Sequence, residues 1–210
     1  MHSHAIESFK EKIKLSTRQR EIIIGKILGD GCLVSQSQKR TYRLQIEHSL
    51  KQKKYVIWLY QELKTLIRTP PKMKRQYVRG KVYYKYWFNT LSIEELQFYG
   101  QQFYPNGKKV VPKSICHWLT PLALAIWYMD DGSIKSRYHR ARIINTQAFC
   151  KSDQERLINA LKKNFRLNCK LRKQKEGYQI MILAESANQF ARIIKPYILP
   201  SMSYKIEGLG

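Results

Sequence analysis

Acidic residues are scarce in this chain. Its 210 residues include 39 lysines and arginines against 15 aspartates and glutamates, a formal net charge of +24. So one-sided a charge disfavours a metabolic enzyme of neutral substrates. It points to a polyanion, DNA or RNA ahead of an anionic membrane surface. Long apolar runs are missing too. None reaches the ~18 residues that a membrane span needs, and Met1–Lys10 holds no apolar signal core. The four cysteines (Cys32, Cys116, Cys150, Cys169) include no C-x-x-C pair, which argues against a zinc ribbon and against a disulfide framework. Reduced thiols in an intracellular compartment are expected, bacterial cytoplasm or organelle matrix, with no secretion. The five histidines (His2, His4, His48, His117, His139) form no i, i+4 pair beyond the N-terminus and are read as non-ligands. No Gly/Ser-rich linker is present. What remains, 43% apolar and 12% aromatic residues, suffices for a sizeable globular core.

The chain repeats itself. Ile22–Gly31 and Ala123–Gly132 are apolar runs that end in Asp-Gly, with Asp30 and Asp131 101 residues apart. The segments after the two runs also match. Tyr42–His48 and Arg142–Phe149 read as strands. Lys51–Ile67 and Gln154–Phe165 carry helical apolar spacing. Lys72–Thr90 reads as a basic hairpin turning at Arg79-Gly80, and Asn168–Leu183 as another turning near Glu176-Gly177. Third helices come next at Ile93–Phe103 and Ala187–Ile194. The expected fold class is α+β, an αββαββα unit repeated in tandem about a pseudo-twofold. The expected division is an N-terminal extension over 1–15, a first subdomain over 16–107, a linker over 108–119 and a second subdomain over 120–210.

Both Asp-Gly runs have helix-boundary chemistry. Ser16 with Gln19 fits a capping box, and Thr120-Pro121 fits an N-cap with proline at the first helical position. Gly31 and Gly132 are expected to be the left-handed residues that end each helix. The interiors are apolar nearly all round, so both helices should be buried, and Gly25 and Gly29 share one face where a second backbone could approach. Asp30 and Asp131 would then sit at helix C-termini, where an anion is unfavourable. Two such ends brought together call for hard divalent cations with oxygen ligands. Three of the chain's four aspartates, Asp30, Asp130 and Asp131, lie in these runs.

The cations cluster on the two hairpins. Residues 68–90 and 162–175 contain seven each and no acid. Alternation along strands puts Lys72, Lys74 and Gln76 on one face, Lys81, Tyr83 and Lys85 on one face, and Lys170, Arg172 and Gln174 on another. Basic residues interleaved with tyrosine and glutamine suit a duplex groove, with charges on phosphates and Arg or Gln on base edges. The candidate DNA contacts extend to Arg43, Arg75, Arg79, Arg137, Arg140, Arg142, Gln147, Lys173 and Lys175.

The paired runs, with Leu119–Gly132, Asn145–Gln147 and Lys195–Pro200, resemble the signature helices and flanking segments of single-chain LAGLIDADG homing endonucleases, most closely the subgroup typified by I-SceI. The resemblance covers residues 16–206. It implies saddle-shaped antiparallel DNA-binding sheets and a metal-dependent double-strand break in a long asymmetric duplex site. It implies that Asp30 and Asp131 are the metal-binding catalytic carboxylates, with the carbonyls of Gly29 and Asp130 as further ligands. Lys109 and Lys205 correspond to basic residues near the scissile phosphates, and Gln45 and Asn145 to polar positions near catalytic waters. Mg²⁺ is the expected ion, with Mn²⁺ substituting and Ca²⁺ supporting binding alone. The expected partner is double-stranded DNA, bound by a monomer without a membrane. An RNA maturase on the same fold is the alternative, with intron RNA as partner. The second helix departs from the pattern: Ile126 stands where the first has Gly25, and Asp130 where it has Gly29.

Overall fold

The computed structural model describes residues 8–209 apart from 11, 36 and 137, so the candidate Arg137 lies outside the described residues. Among them the order is α1 (Thr17–Leu28), β1 (Cys32–Val34), β2 (Arg43–Ser49), α2 (Lys53–Glu62), β3 (Lys72–Val78), β4 (Lys81–Asn89) and α3 (Gln97–Phe103). The short α4 (Ile115–Trp118) is next. Then come α5 (Pro121–Asp131), β5 (Gly132–Ser136), β6 (His139–Ile144), α6 (Lys151–Phe165), β7 (Cys169–Gln174), β8 (Gly177–Ile182) and α7 (Ala187–Ile194). The αββαββα order thus occurs twice. The chain divides into two compact units. One holds the residues up to Arg20 together with Asp30–Gln101; the other holds Glu21–Gly29 and the residues from Gln102 onward.

In the first unit an antiparallel sheet runs β1-β2-β4-β3. Strand β2 alternates as expected of a half-buried strand: Leu44, Ile46 and His48 are buried, Arg43, Gln45 and Glu47 partly exposed. The buried side meets α2, whose Tyr55, Val56 and Leu59 are also buried. The β3–β4 hairpin turns at Arg79-Gly80, both at positive φ (48° and 76°), the backbone that a two-residue turn between right-twisted strands requires.

In the second unit the sheet runs β5-β6-β8-β7, also antiparallel. Helix α5 is buried from Leu122 through Met129. Its Tyr128 ring meets Phe190 of α7 edge-on at 4.8 Å. The segment before α5 is fixed to α6. Buried Asp153 accepts from the Val111 amide at 3.1 Å, and Asn164 donates to the Cys116 and Leu119 carbonyls. That accounts for the fourth aspartate as a structural one.

Both capping motifs form. Ser16 and Gln19 exchange side-chain-to-backbone bonds at 3.1 Å each, and Thr120 accepts from Ala123 N at 3.2 Å. The glycine expectation is corrected. Neither Gly31 nor Gly132 is among the positive-φ glycines, and Gly132 is extended at φ −75°, ψ 145°. The helix runs straight into β5 there, and glycine is needed because a Cβ would collide with the ring and carbonyl of Tyr128. The second strand of the repeat is also shorter than expected, ending at Ile144, because Asn145 turns back to the end of α5.

Candidate metal and nucleic-acid sites

The first acidic end is built by α1. Its residues Ile22, Ile23, Ile27 and Leu28 are at most 1% exposed, so the helix is held on all sides and delivers Asp30 just beyond its last turn. The Asp30 side chain is 49% exposed, and its Oδ2 stands 3.6 Å from His48 Nδ1. Nδ1 also lies 3.1 Å from Gln52 Oε1. An imidazole buried on the helix-facing side of β2 therefore flanks this carboxylate at ion-pair distance. Sequence reasoning, which reads His48 as a non-ligand, misses this role. The clue available is its place on the apolar parity of the strand, beside Leu44 and Ile46. The Gly29 carbonyl, immediately before Asp30 in the chain, accepts from Lys109 Nζ at 2.8 Å.

The second acidic end is more elaborate. The Asp131 carbonyl accepts from Asn145 twice, from the backbone amide at 3.0 Å and from Nδ2 at 2.9 Å. Gln179 Nε2 holds the Asn145 oxygen at 2.6 Å. Lys205, 7% exposed, donates to the carbonyls of Met129 at 2.5 Å, Gly132 at 2.9 Å and Asp130 at 3.3 Å. A lysine ammonium has three N–H groups, and here they face the negative end of the α5 dipole. In this structure Lys205 thus neutralises the helix end, while Lys109 is only half-buried. Asp130 does not share the disposition of Asp131. Its carboxylate is ion-paired with Lys26 Nζ at 2.7 Å, both side chains fully buried. Sequence reasoning passes over Lys26 as well; a cation within the otherwise apolar stretch Ile22–Gly29 is the available signal.

Ladder register refines the internal repeat. Cys32, two residues after Asp30, opposes Gln45, whereas Ser133, two residues after Asp131, opposes Ile143. The positional counterpart of Asn145 is therefore Glu47, not Gln45. Gln45 opposes Asn89 on its other side.

The candidate DNA contacts divide by strand parity. Lys72, Lys74 and Gln76 oppose Trp87, Lys85 and Tyr83, so all six share one face. Glu47 lies on it, bonded to Lys85 at 2.6 Å and Lys74 at 3.1 Å. Burial alone would raise the Glu47 carboxyl, but the two ammonium groups outweigh it and hold the carboxyl below its ordinary range. This acid, supplied from a neighbouring strand, orders two of the cations. Lys81 begins β4 after the turn at Arg79, while Arg75 points to the opposite face, its guanidinium 4.6 Å from the Tyr77 ring. In the second unit Lys170, Arg172 and Gln174 oppose Met181, Gln179 and Gly177, on the face that carries Asn145. Lys173 falls on the reverse parity and Lys175 in the turn. Gln147 is half-buried beside Gly177. This face also holds an apolar cluster, Ala141, Ile143 and Met181. Arg140 bonds Asn188. Arg142 is corrected: it is 2% exposed and donates to the carbonyls of Arg140 at 2.8 Å and Glu207 at 2.5 Å. A guanidinium so enclosed is not presented to a duplex.

Comparisons with known proteins agree with one another. The model of the LAGLIDADG DNA endonuclease family matches residues 20–190. DNA endonuclease I-ChuI from Chlamydomonas applanata is 31% identical, across 93% of this chain and 97% of its own length. Cytochrome b mRNA maturase bI2 from Debaryomyces hansenii is 27% identical, across 91% of this chain and 74% of its own. The solved structure of the homing endonuclease I-WcaI bound to its DNA recognition sequence superposes with a TM-score of 0.92 at 28% identity, covering 98% of this chain and 93% of that one. No helix among the described residues is long and apolar enough to cross a membrane.

Proposed function

The chain is a homing endonuclease of the LAGLIDADG DNA endonuclease family, and from that membership we propose that it makes a metal-dependent double-strand break in a long asymmetric duplex, with Asp30 and Asp131 as the ion-holding carboxylates. The observation that carries this is the paired design of two buried helices, each with an aspartate at or just beyond its last turn and each succeeded by a four-stranded sheet with lysines and arginines on one face. The side chains of Asp30 and Asp131 and the carbonyls of Gly29 and Asp130 offer oxygen donors, which suit a hard cation such as Mg²⁺, with Mn²⁺ as substitute and Ca²⁺ for binding alone. A carbonyl has two lone pairs, so the bonds from Lys109 and Lys205 leave room for that ligation. Such an ion, when bound, lowers the pKa of water and stabilises charge on a phosphate.

The protein's own groups supply the rest. Lys109 places a positive charge at the carbonyl before Asp30 and is the lysine we assign to the scissile phosphate. Lys205 fixes the end of α5. Gln45 and Asn145 orient water, Asn145 while holding the Asp131 carbonyl. Lys72, Lys74, Gln76, Lys81, Tyr83 and Lys85 in one unit, and Lys170, Arg172 and Gln174 in the other, track the duplex. Arg43, Arg79, Arg140, Gln147 and Lys175 add backbone contacts. The chain acts as a monomer, because both motifs lie within it, and inside the cell, in bacterial cytoplasm or an organelle matrix.

Selection from a randomised long-duplex library, run in Mg²⁺ and in Ca²⁺, tests this. Discrete cut ends in Mg²⁺ are expected, lost in Asp30→Asn and in Asp131→Asn, while both variants still bind the selected site in Ca²⁺. Undiminished cutting by either variant would remove the assigned site. The likeness to the bI2 maturase supports a second role in splicing an intron RNA. Splicing of the cognate intron by the two aspartate variants separates it from cleavage.

A further inference from the structure

We propose that Lys26 is a positioning residue for Asp131, acting through the carboxylate of Asp130. The inference rests on reading Asp131 as an ion-holding carboxylate. Lys26 lies in the last turn of α1 and Asp130 at the end of α5, 104 residues apart in sequence and 2.7 Å apart in space. Neither side chain is exposed. A buried ion pair is held in place because either partner left alone would be an uncompensated charge in an apolar interior. Room for it is made at Gly29, where a Cβ would lie 2.6 Å from the Asp130 Cβ. Gly25 gives the same clearance one turn earlier, where a Cβ would lie 2.6 Å from the Ala123 oxygen and the Ile126 Cβ.

The pair does not obey the repeat. At the internal offset, Lys26 corresponds to Trp127 and Asp130 to Gly29. Only the second acidic end therefore has an anchored carboxylate one residue before its aspartate. The last turn of α5 is fixed in three ways. Lys26 pulls the Asp130 side chain into the helix interface, Lys205 gathers the carbonyls of Met129 and Gly132, and Asn145 takes the Asp131 carbonyl. Successive helix residues are ~100° apart around the axis. Locking Asp130 inward therefore sets the direction in which Asp131 leaves the helix. The Asp130 carboxylate serves as an internal counter-ion to Lys26.

The test is strand-resolved cleavage of an end-labelled target duplex in Mg²⁺, with binding measured in Ca²⁺. Lys26→Met alone strands a buried carboxylate and is expected to fold poorly. The double variant Lys26→Met/Asp130→Leu removes both charges, and Asp130→Asn offers a milder break. Each is expected to bind within about threefold of the parent, yet to accumulate nicked duplex, one strand being cut at least tenfold more slowly than the other. Lys26→Arg should restore the double-strand break. Parent-like strand ratios in the double variant and in Asp130→Asn would overturn the proposal, and so would equal slowing of both strands, which marks a merely structural pair. Full cleavage by Asp131→Asn, measured alongside, would instead sink the underlying site reading, and with it this inference.

Discussion

Gly29 carries unusual constraint for a single residue. Alanine there would drive a methyl into Asp130, and overpacking of this kind costs about 1–3 kcal/mol. Chemical denaturation should show a lower unfolding midpoint for Gly29→Ala. Cysteine chemistry is decided at the same scale. Burial pushes the Cys169 thiol up to about 12, while Cys32 and Cys150 are exposed. A thiol reagent at pH 8 should modify Cys32 and Cys150 first and reach Cys169 only on unfolding, because the thiolate is the nucleophile. The aspartates are legible in the sequence because the Asp-Gly signature is local and duplicated. His48 and Lys26 are not. Each acquires its role from a partner on another element, and no spacing rule reports a contact 104 residues away.

Elements are legible where local chemistry fixes them. The caps at Ser16 and Thr120 set the starts of α1 and α5 within a residue, and α7 lies where its apolar spacing puts it. Strand ends are less so. Residues 145–149 look extended in sequence, but Asn145 spends its polar groups on the end of α5 and stops the ladder. The β3–β4 hairpin supplies two predictions. Gly80 sits at φ 76°, so Gly80→Ala should cost about 1 kcal/mol and weaken binding more than it alters the rest of the first unit. Glu47 gives the hairpin a pH dependence. Its carboxyl lies lower in the folded state, so its stabilisation is present above the unfolded glutamate value, about 4.3, and fades as pH falls through the folded one. Thermal melts across pH 6 to 3 should therefore show a smaller acid-side loss in Glu47→Gln than in the parent.

Over the whole molecule, the charge of +24 sets the character of binding. Phosphate neutralisation releases counterions, so affinity for the duplex should fall steeply with salt, with a log–log slope on the order of −6 to −10. Fluorescence anisotropy over a salt series measures it. Replacing Lys72 and Lys74 together should flatten the slope by about 2 if both reach phosphates. The Glu47 link to Lys74 and Lys85 would then reorganise toward Lys85 alone.

The second compact unit is discontinuous, taking Glu21–Gly29 from the start of the chain and its other residues from Gln102 onward. This bears on biosynthesis. A ribosome emits α1 first, and its isoleucine-rich surface has no partner until α5 has emerged about a hundred residues later. At 5–20 residues per second that interval is about 5–20 s, during which the apolar stretch Ile22–Leu28 is open to chaperones, proteases and self-association. Yield in a cell should thus depend on translation speed between the two signature helices.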